Sequence, residues 1–249
     1  MKAFKHYFFV LIIFTGCNAG EKSFTGQEVI DQAITTAGGE LFQKATIDFD
    51  FRGRHYRSIR DYGKFQYERI FEDSTGTVRD VLNNEGFERY INDTVSTLTP
   101  DSMKTKYANS VNSVLYFALL PYGLNDPAVI KEYVGTGVID NQTYHKVRVT
   151  FEQEGGGKDY QDVFMYWVNS TDFKVDYFGY TYVTDGGGAR FRKAYNARVV
   201  NGIRFVDYIN YKPTLAKMEL SEFDEAFNRG ELKELSRIEL ENINVEITE

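Results

Sequence analysis

Side chains able to do covalent or acid–base chemistry are sparse in this chain. Its 249 residues include three histidines and one cysteine. His55 lies in "RGRHYRSIR", and His145 in "YHKVRV", where the neighbouring apolar residues alternate and predict a surface position on a strand. Nucleophilic catalysis needs a nucleophile within hydrogen-bond reach of a base that a third group orients. No Gly-x-Ser-x-Gly, His-Glu-x-x-His or Cys-x-x-Cys marks such a centre. Gly155 to Lys158 ("GGGK") has the glycines of a phosphate loop, but lacks the following Ser/Thr and the helix that would orient its amides. It reads as a hairpin turn. Arg52, Arg54, Arg57 and Arg60 read as a solvated hairpin, with lipid head-group phosphates as the functional alternative. Carboxylates are plentiful, and their spacing leaves open which pairs meet in space. The expectation is no catalytic residue, no metal site, no cofactor, and no activity that depends on His55 or His145.

The lone cysteine is better marked. Lys2, Lys5 and His6 form a basic start, Phe8 to Phe14 is continuously apolar, and Thr15-Gly16-Cys17 follows. Basic start, apolar core and small residues follow the order of a secretory signal peptide. The run is too short to span a bilayer, which takes about 20 apolar residues. The plainer alternative is a buried N-terminal helix ending in Cys17, but nothing downstream supplies its polar face. Phe14-Thr15-Gly16-Cys17 also resembles a bacterial lipobox, with Phe14 where Leu is usual. That resemblance implies cleavage before Cys17 and a diacylglyceryl group on its sulfur. A secreted chain with one unpaired cysteine calls for some such explanation. Acyl chains also anchor well, each buried CH₂ contributing about 0.8 kcal/mol. Residues 1–16 are then a signal peptide and 17–24 a lipidated tether, with palmitate-type chains holding the protein to a membrane.

Removing residues 1–16 takes away two lysines and no acid, which moves the formal charge from −7 to −9. Nucleic-acid affinity comes mainly from neutralising phosphates, so nucleic acid is not an expected partner. One cysteine permits no internal disulfide, and an ordinary core must hold the fold. The 20 Phe and 18 Tyr suit pleated, half-buried surfaces and so favour strands.

The elements follow from periodicity. "TGQEVIDQAITTAGG" is a helix with Thr25 and Glu28 as a capping box and Gly38-Gly39 as its stop. Ile47, Phe49 and Phe51 alternate with acids, and four strand-like stretches follow, split by Gly63, Gly76 and Gly86. "PDSMKTKYANSVNSVLYFALLPYG" interrupts them with a helix capped by Asp101 or Ser102. Its apolar face carries Met103, Tyr107, Val111, Val114, Leu115 and Ala118, and its tip, Leu115 to Leu120, is apolar all round. Six more strands run to Pro213, and Asn201-Gly202 is the strongest hairpin signal among their turns. A short helix, "SEFDEAFNRG", precedes one last strand, "LSRIELENINVEIT". "VFMYWV" is apolar on both faces, with Phe164, Tyr166 and Val168 on one and Val163, Met165 and Trp167 on the other.

Two stretches are similar to the Lol-type lipoprotein carriers. "MYWVNSTDFKVDYFGY" (Met165 to Tyr180) is similar to that family's strand, polar turn and strand. "ARVVNGIRFVDYINY" (Ala197 to Tyr211) is similar to its Asn-Gly hairpin entering an apolar strand, with Val206 where the family often has Pro. The resemblance implies an α+β fold. Its parts are a strongly bent antiparallel sheet forming an incomplete β-barrel over residues 25–249, an N-terminal helix and an inserted covering helix. The family's apolar concave face holds acyl chains. Asp73-Ser74-Thr75, Asp93-Thr94-Val95 and Asp101-Ser102-Met103 also resemble a Gram-negative O-glycosylation acceptor.

The first functional expectation is an envelope lipoprotein, on the outer membrane, with its domain in the periplasm or at the cell surface. It would bind a lipid, a lipoprotein acyl chain or another apolar ligand. The contacts would come from Phe164, Tyr166 and Val168 of the sheet and Leu115 and Phe117 of the covering helix. A one-residue register slip would exchange the two faces of that strand. The second expectation is an anchored structural or protein-interaction module whose barrel is filled by its own side chains. An unrecognised hydrolase is third.

Overall fold

A computed structural model describes residues 24–183, 186–214 and 218–248. The chain enters through α1 (Gly26–Ala37), where Thr25 Oγ1 accepts from the Glu28 amide at 3.1 Å and the Glu28 carboxylate accepts from the Thr25 amide at 2.8 Å. This reciprocal cap satisfies two of the donors that a helix start leaves orphaned. Val29, Ile30, Ala33 and Ala37 form the buried face. Gly26 lets the helix start lie on the sheet: a Cβ there would stand 2.9 Å from the backbone of Lys131.

Among the described residues, fourteen strands follow in a bent antiparallel array, as the α+β reading predicts. They are hydrogen-bonded as two seven-stranded sheets and, among the described residues, close no barrel. The first five are β1 (Ala45–Phe51), β2 (Arg54–Asp61), β3 (Lys64–Asp73), β4 (Gly76–Asn83) and β5 (Gly86–Ile91). The two-residue β6 (Thr94–Val95) completes that meander. After α2 (Asp101–Ala118) come β7 (Val129–Ile139), β8 (Gln142–Phe151), β9 (Val163–Asn169), β10 (Val175–Tyr182), β11 (Gly188–Val200) and β12 (Ile203–Pro213). The short α3 (Phe223–Asn228) precedes β13 (Leu232–Ile238) and β14 (Glu241–Ile247).

The expected single last strand is thus two. β13 pairs with β12 at the edge of the second sheet, and β14 crosses to pair with β1 at the edge of the first. The break at Leu240 is held from outside: its amide donates to Asp207 at 3.0 Å and its carbonyl accepts from Arg198 at 2.6 Å. Register shifts interrupt β11–β12 between Tyr195 and Arg198 and β12–β13 between Asn210 and Tyr211. Such irregularities bend a strand and increase its twist.

Three apolar clusters divide the interior. One lies between α1, the tip of α2 and the concave face of the second sheet, and includes Val29, Ile30, Val147, Phe164, Tyr166 and Phe178. Another packs Val111 and Leu115 of α2 with Ile47, Phe49 and Phe205. The third covers the opposite face of the second sheet, where Phe223 and Ala226 of α3 meet Met165, Trp167 and Phe191. Both faces of β9 are therefore covered.

Candidate functional site

α2 carries its apolar tip onto the second sheet. Its middle buries Val111 and Leu115, which turns Phe117 the other way, toward β9, β10 and β11. The Phe117 ring stacks on Phe178 at 5.8 Å and meets Tyr180 at 5.7 Å and Phe164 at 6.3 Å. Offset aromatic pairs of this kind add about 0.5–1.5 kcal/mol beyond their burial.

Clefts open on either side of this ring. The first, about 250 Å³, runs beneath α2 between Phe117, Val114, Val206, Tyr208, Ile238 and Leu240. Its lining holds no carboxylate, histidine or cysteine. Burial pushes the Tyr208 phenol up to about 12, so this phenol stays protonated. The second, about 320 Å³, is of mixed character. Leu115, Phe117, Val129, Phe151 and Phe164 are part of its apolar wall, while Arg60, Asn109, Asn112, Asp126 and the turn from Gly155 to Asp159 contribute polar groups. Asp162 sits at its edge with one carboxylate oxygen buried and unpartnered. Burial, with Asp159 nearby, lifts that acid to about 6.

The five residues expected to touch a ligand take different positions. Phe117 lines both clefts, whereas Leu115 and Phe164 line the second. Tyr166 and Val168 line neither and are fully buried against α1 and Phe178. Sequence reasoning missed Tyr180, Arg192, Val206 and Tyr208 in the first cleft. The available signal was the alternation in β11, where the residue opposite Phe178 must share its face; that residue is Arg192. Cys17 lies outside the described residues.

The remaining candidates resolve as follows. His145 is buried, which corrects the surface assignment. Phe24 and Phe173 cover its ring at 4.6 and 5.7 Å, the Tyr133 hydroxyl meets Nδ1 at 3.2 Å, and burial lowers its pKa. His55 bridges Asp50 at 2.8 Å and Asp48 at 3.1 Å. The arginines of β2 do not form one patch: Arg57 pairs with Asp48, Arg54 lies over Phe71, and Arg60 lies over Tyr122 and bonds Tyr67. Among the described residues, no group of three or more His, Cys, Asp or Glu is placed to hold a metal ion. Among them, too, no helix is long and apolar enough to cross a membrane.

The architecture has parallels among solved structures. A LolA superfamily protein from Nitrosomonas europaea superposes with a TM-score of 0.50 at 10% identity, covering 91% of this chain and 96% of its own. A DUF1329 family protein from Desulfovibrio piger matches with a TM-score of 0.48 at 11% identity, covering 88% and 92%. No curated protein matches the sequence. At 10% identity the first likeness concerns the fold alone, which is LolA-like. The chain belongs to DUF6503, a family of unknown function, whose model matches residues 5–240.

Proposed function

We propose that this protein is a membrane-anchored envelope lipoprotein whose half-barrel binds a lipid, acyl chain or other apolar ligand beneath α2. The observation that carries this reading is the apolar cleft of about 250 Å³ under Phe117. A pocket wall that is mostly hydrophobic and aromatic suits an apolar ligand. Phe117 would touch the ligand from above, and Phe164 would extend the surface into the second cleft. Tyr166, Val168 and Leu115 would serve as the packed wall behind them.

Residues 1–16 would act as signal peptide and 17–24 as tether, with Cys17 lipidated and the anchor in the outer membrane. The role is binding rather than catalysis, since the cleft lining offers no nucleophile with a base beside it. Native mass spectrometry of the purified full chain is the test. A co-purified apolar molecule that is lost in Val114→Trp, which fills the cleft, is expected. No such molecule, and no binding of an added fatty alcohol, would overturn the reading. Cys17→Ser should move the protein from the detergent phase to the aqueous phase; an unmodified Cys17 in the wild type would refute anchoring.

One observation favours the second reading, an interaction module with a filled barrel. Tyr166, Val168 and Leu115 are fully buried by the protein's own side chains. Absence of ligand binding together with an intact fold would select it.

A further inference from the structure

The first cleft has a polarity that its apolar walls do not require. Its lining contains two arginines, Arg52 and Arg192, and no acid, in a chain whose formal charge is −7. Arg52 is exposed at φ +52° in the turn after β1. Arg192 is only 8% exposed. It forms no ion pair among the described residues, and its Nε is buried without a partner. The guanidinium lies 4.2 Å from the centre of the Phe117 ring and donates one hydrogen bond, at 3.0 Å, to the Tyr180 hydroxyl.

Guanidinium carries five N–H donors in a planar fork. Burying such a cation without a counter-charge is costly. Stacking on an aromatic face offsets part of that cost when the pair is desolvated. An oxyanion with two oxygens fits the unused part of the fork, and Arg–carboxylate and Arg–phosphate pairs are commonly bidentate. The same lining carries Val114, Val206, Ile238 and Leu240. A buried cation and an apolar wall in one cleft match the two parts of an amphiphile.

We propose that the cleft takes a single-chain amphiphile with an anionic head, carboxylate or phosphate, paired with Arg192, and a tail against Val114, Phe117, Val206 and Leu240. This inference rests on the apolar-ligand reading above and adds the charge of the ligand to it.

Binding of four twelve-carbon probes to the full chain, each below its micelle concentration, tests it. The probes are dodecanoate, dodecyl phosphate, dodecanol and dodecyltrimethylammonium. At least one anion should bind ten-fold or more tighter than dodecanol, and the tighter anion identifies the head group. Dodecyltrimethylammonium should bind more weakly than dodecanol. Arg192→Met should bring the anions down to the level at which the same variant binds dodecanol, and Arg192→Lys should restore part of the preference. Equal binding of anions and dodecanol by the native protein overturns the proposal while leaving the apolar-ligand reading intact. An anion preference that survives in Arg192→Met overturns it as well. If no probe binds, the apolar-ligand reading falls, and this inference with it. The native-protein comparison decides the matter even if Arg192→Met does not fold.

Discussion

Phe117→Ala is the most informative single change, because one ring separates the two clefts. Truncating a fully buried Phe to Ala costs about 3–5 kcal/mol. Phe117 is only partly buried, so about half of that applies. Loss of the Phe178 stack and the Arg192 contact adds about 1 kcal/mol. The net expectation is a destabilisation of about 2.5–3.5 kcal/mol, read as a lower denaturation midpoint at unchanged m-value. The same change should join the two clefts into one trough. Capacity for bulky apolar probes should then rise, and affinity for a narrow single chain should fall. Phe117→Leu should recover most of the stability and keep the clefts apart. Equilibrium denaturation with parallel titration of a narrow and a bulky apolar fluorophore makes both measurements. A loss below about 0.5 kcal/mol, or an unchanged ratio of the two affinities, would show that Phe117 is not the partition.

The other predictions concern buried charge. The carboxyl of Asp162 is raised by burial from 3.8 to about 6, so between those values the folded state binds its proton more tightly than the unfolded chain. Stability contributed by this group is therefore lost as pH rises through that window. Asp162→Asn should raise stability by about 1 kcal/mol at pH 7.5 and change nothing below pH 4; an equal effect at both pH values would refute the assignment. His145 has the opposite sign: burial lowers its pKa below 6.5, so stability present above that value is lost as pH falls. His145→Phe should flatten the stability profile between pH 7 and 5, and an unchanged slope would count against burial as the cause. Asp80 is fully buried between Arg69 and Arg89, meeting Arg89 Nε at 2.6 Å. Asp80→Asn leaves two cations short of a counter-charge and should cost about 3–5 kcal/mol by denaturation; a loss under 1 kcal/mol would mean the network is solvated.

What the sequence revealed depended on how local the cause was. The α1 cap was legible because Thr25 and Glu28 satisfy each other within one turn. The strand series was legible because glycine and asparagine occupy left-handed turn positions, as at Asn201 and Gly202. The division between β13 and β14 was not legible, since Glu239-Leu240 holds no turn residue. Asp207 and Arg198, distant in sequence, make the break there. The burial of His145 was hidden for the same reason, because Phe24 and Phe173 cover it from other parts of the chain. At the site, α2 showed Phe117 as part of an apolar tip. Arg192 stayed unread, because β11 alternates polar and apolar residues and only pairing with Phe178 assigns its face.

The crossing of β14 has a consequence for how the protein comes into being. Ala45 opens β1 and lies opposite Ile247, from the far end of the described chain. Until that pairing forms, β1 has a partner on one side only and shows a bare row of amides and carbonyls on the other. Pairings this distant in sequence carry a large loop-closure cost and slow folding. An unpaired edge is also a template for wrong partners. The first sheet therefore cannot be completed while the ribosome still holds β14, and a chain shortened before Glu241 would keep β1 as an open edge for life.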